Sequence, residues 1–194
     1  MGQEFELKYR CTEAAFETIL RDYPGFSPIE METHYYDTFD GKLRNLRWML
    51  RRRVENGRSI CTLKTPGQGD VRGEWESECG NIMAALPKLC QTGAPLELMA
   101  LGVSGLVETS GAKLTRQALT LEIPGGTVEL ALDRGVFLGG GREAPLLEIE
   151  VELKSGSREA TVAFAREFAA RYALEPETRS KALRAMILAA GGEI

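Results

Sequence analysis

Glu4-Phe5-Glu6-Leu7-Lys8 opens the chain and decides how the rest of it is read. In an extended strand successive side chains alternate faces, so residues two apart share one. Glu4, Glu6 and Lys8 then stand on one face, and Phe5 and Leu7 on the other. An ordinary solvated edge strand would look the same. The two readings separate only if later strands repeat the pattern and complement its charge.

They do repeat it. Met31 to Thr38, rich in aromatic and β-preferring residues, reads as a strand. Arg47 to Glu55 and Arg58 to Thr65 flank Asn56-Gly57, a strong two-residue hairpin turn. Further strands are expected over Val71 to Cys79, Lys113 to Ile123, Thr127 to Arg134 and Pro145 to Lys154. Period two places Arg51 with Arg53, Thr62 with Lys64, and Arg72 with Glu74 and Glu76. It likewise joins Glu129 to Asp133, and Glu148 to Glu150 and Glu152. Leu63, Trp75, Val128, Leu130, Leu132, Leu147, Ile149 and Val151 fall on the opposite faces. The product is a sheet with one apolar and one charged face. Either it is open, with helices on the apolar side and water on the other, or it closes into an eight-stranded barrel whose charged face lines the interior.

Helices are expected from the Thr12 cap to about Tyr23, from the Ser157 cap to about Tyr172, and from Ser180 to Gly191-Gly192. Asn81 to Val103 reads as helical pieces interrupted by Pro87 and by the Gly93/Pro95 region, and Gly139-Gly140-Gly141 as a flexible loop or turn. Strands joined in sequence by tight turns favour an antiparallel α+β arrangement. The 194 residues suit one domain, with the C-terminal helices (157–191) included.

Hydrophobic residues make up 43% and charged residues 27%, a soluble globular balance with ample core material. The net charge of -4 argues against nucleic acid or an anionic membrane as partner, except where basic residues are locally concentrated. The four cysteines form no CxxC pair, and a single His gives no zinc site. Free thiols in a reducing cytoplasm are expected. No apolar run approaches the ~20 residues of a membrane span.

Carboxylates repeated along one strand face repel each other and need cations nearby. Lys and Arg could supply these alone. A divalent metal holding a phosphate chain would use the same set, with carboxylates on the metal and guanidiniums on the remaining phosphate oxygens. From the pattern alone both remain open.

The order of these elements resembles the CYTH family, the triphosphate tunnel metalloenzymes. Glu4-Phe5-Glu6-Leu7-Lys8 is similar to its ExExK signature. Tyr35-Tyr36-Asp37-Thr38, Leu50-Arg51-Arg52-Arg53, Thr62-Leu63-Lys64, Arg72-Gly73-Glu74-Trp75-Glu76, the Arg116 strand, Leu132-Asp133, Glu148-Ile149-Glu150 and Ser180-Lys181 follow in family order. The resemblance implies an eight-stranded antiparallel β-barrel tunnel with flanking helices. It implies Glu4, Glu6, Glu148 and Glu150 as ligands of Mg2+ or Mn2+, and Glu76 and Asp133 as additional or second-metal ligands with a catalytic part. Lys8, Arg51, Arg53, Lys64, Arg116 and Lys181 would grip tripolyphosphate or a nucleoside triphosphate. Arg72, Glu74 and Lys113 carry no defined role.

Three family activities compete: hydrolysis of inorganic tripolyphosphate, hydrolysis of thiamine triphosphate, and cyclisation of ATP. The Tyr-Tyr-Asp-Thr stretch, the Asn-Gly hairpin and the Ser-Lys-Ala-Leu helix start resemble bacterial inorganic triphosphatases most. Many of those carry a C-terminal helical CHAD domain, which these 194 residues stop before. A non-catalytic polyphosphate or nucleotide-binding module is the reading from another class. It leaves the dense carboxylates without a purpose unless metals occupy them. His34, Trp48 and Trp75 read most simply as structural.

Overall fold

The structure, a computed structural model, describes residues 5–66 and 73–194. In chain order its elements are β1 (Glu6–Arg10), α1 (Glu13–Asp22), β2 (Ser27–Thr38), α2 (Lys42–Asn45), β3 (Met49–Glu55), β4 (Arg58–Thr65), β5 (Gly73–Glu78), α3 (Ile82–Gln91), α4 (Glu97–Val103), β6 (Leu106–Ile123), β7 (Gly126–Gly139), β8 (Arg142–Gly156), α5 (Arg158–Tyr172), β9 (Glu175–Pro176) and α6 (Lys181–Ala189). Thr12, Asn81, Ser157 and Ser180 cap α1, α3, α5 and α6, each accepting a hydrogen bond from the backbone N–H three residues on. No helix among the described residues is long and apolar enough to cross a membrane.

All the strands join one antiparallel sheet, in the order β5-β4-β3-β2-β6-β7-β8-β1-β9. This corrects the expected closed eight-stranded barrel. The sheet has nine strands and is open, with β5 and β9 at its two ends. Closing eight strands would require β1 to offer its second edge to β5. That edge is taken instead by β9, through the pairs Tyr9↔Pro176 and Arg10↔Glu175. The Glu177 N–H extends the contact by donating to the Lys8 carbonyl at 2.8 Å.

Strands β6, β7 and β8 run further than expected, and the glycines explain how. Gly140 and Gly141 (φ +59° and +71°) are the two-residue turn between β7 and β8, so the glycine run is a tight hairpin. At Gly135 a Cβ would overlap the Lys113 carbonyl oxygen and lie 2.6 Å from Leu114 Cα, so only glycine lets β6 and β7 pair continuously there. Helix α3 also runs through Pro87 rather than breaking. Burial of Ile82, Ala85, Leu86 and Leu89 against Leu50, Cys61 and Leu63 outweighs the lost hydrogen bond.

The register assigns each charged side chain to a face. Across β1, β8, β7 and β6, Arg10, Glu148, Asp133 and Arg116 form one row. Lys8, Glu150, Ala131 and Ala118 form the next, and Glu6, Glu152, Glu129 and Thr120 the one after. On the other half of the sheet, Arg51 pairs with Thr62, and Thr62 with Glu76, while Lys64 pairs with Glu74. The pairs Tyr35↔Arg51 and Tyr35↔Ser110 carry this same face across β2 to β6. All of these residues therefore share one face. Lys113 lies on the opposite face, exposed, one residue out of phase with Leu114.

The apolar face is covered as the alternation demands. Helices α1 and α5 bury Phe16, Ile19 and Phe168 against Val128, Leu130, Leu132, Ile149 and Val151. Helices α3 and α4 cover Leu50, Cys61 and Leu63. Helix α6 does something the alternation did not foretell. It lies on the charged face, where that face turns apolar: Ala185 and Leu188 pack with Met31, Tyr35, Ala112, Leu114, Phe137 and Leu146.

Gly135→Ala should lower unfolding stability by about 1–3 kcal/mol or more through overpacking. Gly80→Ala, where a Cβ meets nothing within 4 Å, should stay within about 0.5 kcal/mol of the parent. Urea titrations of the two variants test this, and equal midpoints would contradict the close approach at Gly135.

Candidate active site

Asp133 on β7 and Glu148 and Glu150 on β8 bring their carboxylate oxygens within 4.8 Å of one another. Adjacent strands and period two put them there, and all three are buried. Three cations answer them. Lys181, the first residue of α6, places its Nζ 2.8 Å from Asp133 Oδ2 and 2.6 Å from Glu150 Oε1, and also contacts Glu148. Arg116 on β6 donates to both Asp133 oxygens at 2.7 Å and reaches Glu150. Arg184, one turn along α6 from Lys181, donates to Glu148.

The proton affinities follow from this packing. Burial works to raise Asp133 and Glu150, but Lys181 and then Arg116 outweigh it and hold both below the ordinary carboxylate range. Glu148 goes the other way: its burial, reinforced by Glu150, outweighs Lys181 and Arg184 and raises it. Lys181 is buried too, yet Asp133, Glu150 and Glu148 together raise its affinity for its proton.

The remaining sequence-derived residues fall into two further groups on the same face. Beside the cluster, Lys8 Nζ lies 3.2 Å from Glu6, and Lys154 bridges Glu152 (2.9 Å) and Glu129 (3.5 Å). On β3 to β5, Arg53 bonds Thr33 and Glu55, Lys64 lies 3.1 Å from Glu74, and Glu76 accepts from the Thr62 hydroxyl. Arg51 Nε is buried with no acceptor, and burial, then the neighbouring Arg53 charge, lower the proton affinity of that guanidinium. Glu76 thus stands with the arginines at the β5 end of the sheet, away from Asp133. Glu4 and Arg72 lie outside the described residues. A cavity of about 220 Å³ runs along the flank of α6, lined by Tyr35, Trp48, Met49, Ser110, Ser180 and Leu183 among others. It links the start of α6 to β3.

An oxygen-only donor set of this kind fits a hard divalent ion such as Mg2+ or Mn2+. The fit is conditional on charge, because the three carboxylates are already balanced by Lys181, Arg116 and Arg184. A dication entering here must take over from the Lys181 ammonium. Sequence reasoning missed Arg184, whose signal was its i+3 spacing from Lys181. It also missed Glu177, which holds Arg179 and Arg10 and is visible only in the fold.

With this geometry in hand, comparison with known proteins places the chain. It belongs to the CYTH family: the CYTH domain model matches residues 2–186. An inorganic triphosphatase of Haemophilus influenzae is 28% identical over 164 residues, which are 81% of this chain and 47% of that protein. The chain thus spans about half the length of this curated relative. A candidate adenylyl cyclase of Hippeastrum with a dominant triphosphatase activity superposes with a TM-score of 0.72 at 19% identity, over 98% of this chain and 97% of that one. A Pyrococcus horikoshii protein gives 0.61 at 23% identity, over 93% and 96%. These two likenesses establish the fold.

Removing one partner from a buried ion cluster leaves charge uncompensated. Lys181→Met should therefore cost about 3–5 kcal/mol at pH 7. The deficit should shrink toward pH 4. Without Lys181 the buried carboxylates rise and protonate as pH falls from 7 to 4, which relieves the variant's uncompensated charge, whereas in the parent Asp133 and Glu150, held below the ordinary range, stay ionised. Chemical unfolding at both pH values checks this, and a pH-independent deficit would contradict it.

Proposed function

We propose that this protein hydrolyses inorganic tripolyphosphate to pyrophosphate and phosphate on the charged face of its open sheet. One observation carries the reading. A buried, oxygen-only carboxylate cluster shares a sheet face with Arg51, whose buried Nε–H finds no acceptor among the described residues. The activity named for the H. influenzae relative and the dominant activity of the Hippeastrum neighbour support the same choice.

In this reading Glu4, Glu6, Glu148 and Glu150 would hold Mg2+ or Mn2+, with Asp133 and Glu76 as further acidic groups. A bound divalent ion supplies charge neutralisation at phosphate oxygens and lowers the pKa of a coordinated water. Lys8, Arg51, Arg53, Lys64, Arg116 and Lys181 bind and align the phosphates, which is most of what phosphoryl transfer needs from a protein. Guanidiniums meet phosphate oxygens in pairs, so Arg51 and Arg53 suit a chain of phosphates better than lysines would. Asp133 holds Arg116 and Lys181 in position. Histidine takes no part: His34 lies on the other face, between Glu108 (2.8 Å) and Glu32 (3.6 Å). Residues 1–194 work as one domain, and the four free cysteines suit a reducing cytoplasm.

A second reading, an organic triphosphate such as thiamine triphosphate or ATP, is favoured by the cavity beside α6. Tyr36 and Trp48 border it together with Arg44 and Arg47. Phosphate release from tripolyphosphate, thiamine triphosphate and ATP, with Mg2+, Mn2+ or chelator and with cyclic AMP assayed, separates the readings. Metal-dependent preference for tripolyphosphate is expected. Cyclic AMP would promote the cyclase, and binding without product would leave a non-catalytic module.

Glu148→Gln should lower kcat by more than about a hundredfold, the upper range for losing a mere supporting partner of a metal. Arg53→Ala should lower kcat/KM at least about tenfold through a lost charge-assisted contact. Steady-state kinetics at saturating metal test both, and full activity in either variant would remove that residue from the site.

A further inference from the structure

A second cluster of guanidiniums adjoins the carboxylate cluster at Arg184 and Arg10 and extends beyond it to Arg179. Beyond the end of β1, residues 142–147 of β8 keep β7 on one side and have no strand on the other. A cavity of about 150 Å³ opens there. Arg10, Arg179 and Arg184 line it, with Glu177 as its one acidic side chain, and Cys11, Phe137, Leu147 and Ile194 among its other walls.

One buried donor is left over. Glu177 is ionised: the Arg179 side-chain hydrogen bond, outweighing burial, brings its carboxyl down to about 2. Both its oxygens are engaged, Oε1 by the Arg179 backbone N–H (2.9 Å) and Nε (3.1 Å), and Oε2 by Arg179 Nη2 (3.0 Å) and Arg10 Nε (3.1 Å). The third guanidinium, Arg184, approaches Oε2 only to 4.0 Å. Its bond to Glu148 is made elsewhere, and its Nε is buried with no acceptor although the residue is only 4% exposed. The Cys11 thiol adds no negative charge, because burial and then Glu13 push it up to about 12. Arg10 and Arg179 thus share Glu177, Arg184 is shared with Glu148, and the buried Arg184 Nε–H has no acceptor among the described residues, which native interiors rarely tolerate.

We propose that this cavity is an anion site separate from the triphosphate-binding face, taking a small tetrahedral dianion, of which orthophosphate is the natural candidate. A tetrahedral oxyanion presents oxygens in more directions than the two of a planar carboxylate, so it can meet forked donors arriving from several sides at once. The volume of about 150 Å³ admits such an ion. Because Arg184 also holds Glu148, an occupant here draws on the same side chain that helps to neutralise the carboxylate cluster. The assignment stands whether or not the charged face turns over tripolyphosphate.

The test is calorimetric titration of the full chain with inorganic phosphate, without metal, for the parent, Arg10→Ala, Arg179→Ala, Arg179→Lys and Lys64→Ala. Each arginine-to-alanine change should weaken phosphate binding about tenfold, Arg179→Lys by less, and Lys64→Ala by no more than about twofold. In 15N-labelled parent protein the Arg184 Nε–H resonance, identified by its loss in Arg184→Lys, should shift on adding phosphate. This readout does not depend on the variants' stability. Phosphate binding that is lost in Lys64→Ala and kept in both alanine variants would place the ion on the charged face and overturn the proposal. An Arg184 Nε–H signal unmoved by phosphate would overturn it as well.

Discussion

Three buried carboxylates, Asp133, Glu148 and Glu150, are held by three cations, Lys181, Arg116 and Arg184, and the surrounding structure keeps them together. Taking ions out of water costs several kcal/mol each, repaid only if geometry and hydrogen bonding are good. Here β7 and β8 supply the anions in register, β6 supplies Arg116, and α6 supplies the other two cations from one helix face. The sheet's twofold alternation and the placement of α6 are therefore one requirement. Were α6 elsewhere, the carboxylates would lose two of their three partners.

That requirement explains the mixed character of the charged face. At the hairpin end, where Ala112, Leu114, Phe137 and Leu146 replace the charges, it accepts Ala185 and Leu188 of α6. The glycines at 139 and 140 allow the close approach, since a Cβ on Gly139 would lie 2.8 Å from the Ala185 carbonyl. Burial of this apolar patch anchors the helix, and the anchored helix delivers Lys181 and Arg184 to the cluster. At the other end Ala118 and Ala131, small residues among charged ones, leave room beside Glu150 and Lys8.

Much of this was legible in the sequence. Strand alternation is a local signal, and it set the faces of Glu6, Lys8, Arg51, Arg53, Lys64, Asp133, Glu148 and Glu150 without knowledge of the fold. The caps at Thr12 and Ser157, the helix start at Ser180 and the Asn-Gly hairpin are local too. What escaped depends on contacts far apart in the chain. β9 is two residues long and contains a proline, so no pattern marks it, and it fills the edge of β1 that a barrel would need. α6 reads as an ordinary amphipathic helix, and only packing reveals that it covers the charged face. Arg184, Arg179 and Glu177 fall outside the strand pattern that marked the other charged residues, and the fold buries Arg184 and Glu177.

The proposed function requires Glu148 and Glu150 to hold a divalent ion in place of the Lys181 ammonium, leaving Lys181 to bind phosphate. Anomalous diffraction from crystals grown with Mn2+ and a non-hydrolysable tripolyphosphate analogue tests it most directly. The account predicts a manganese peak bounded by Glu148 and Glu150, with Lys181 moved onto a phosphate oxygen. Manganese confined to surface carboxylates, with Lys181 still seated between Asp133, Glu148 and Glu150 while the analogue is bound, would contradict it.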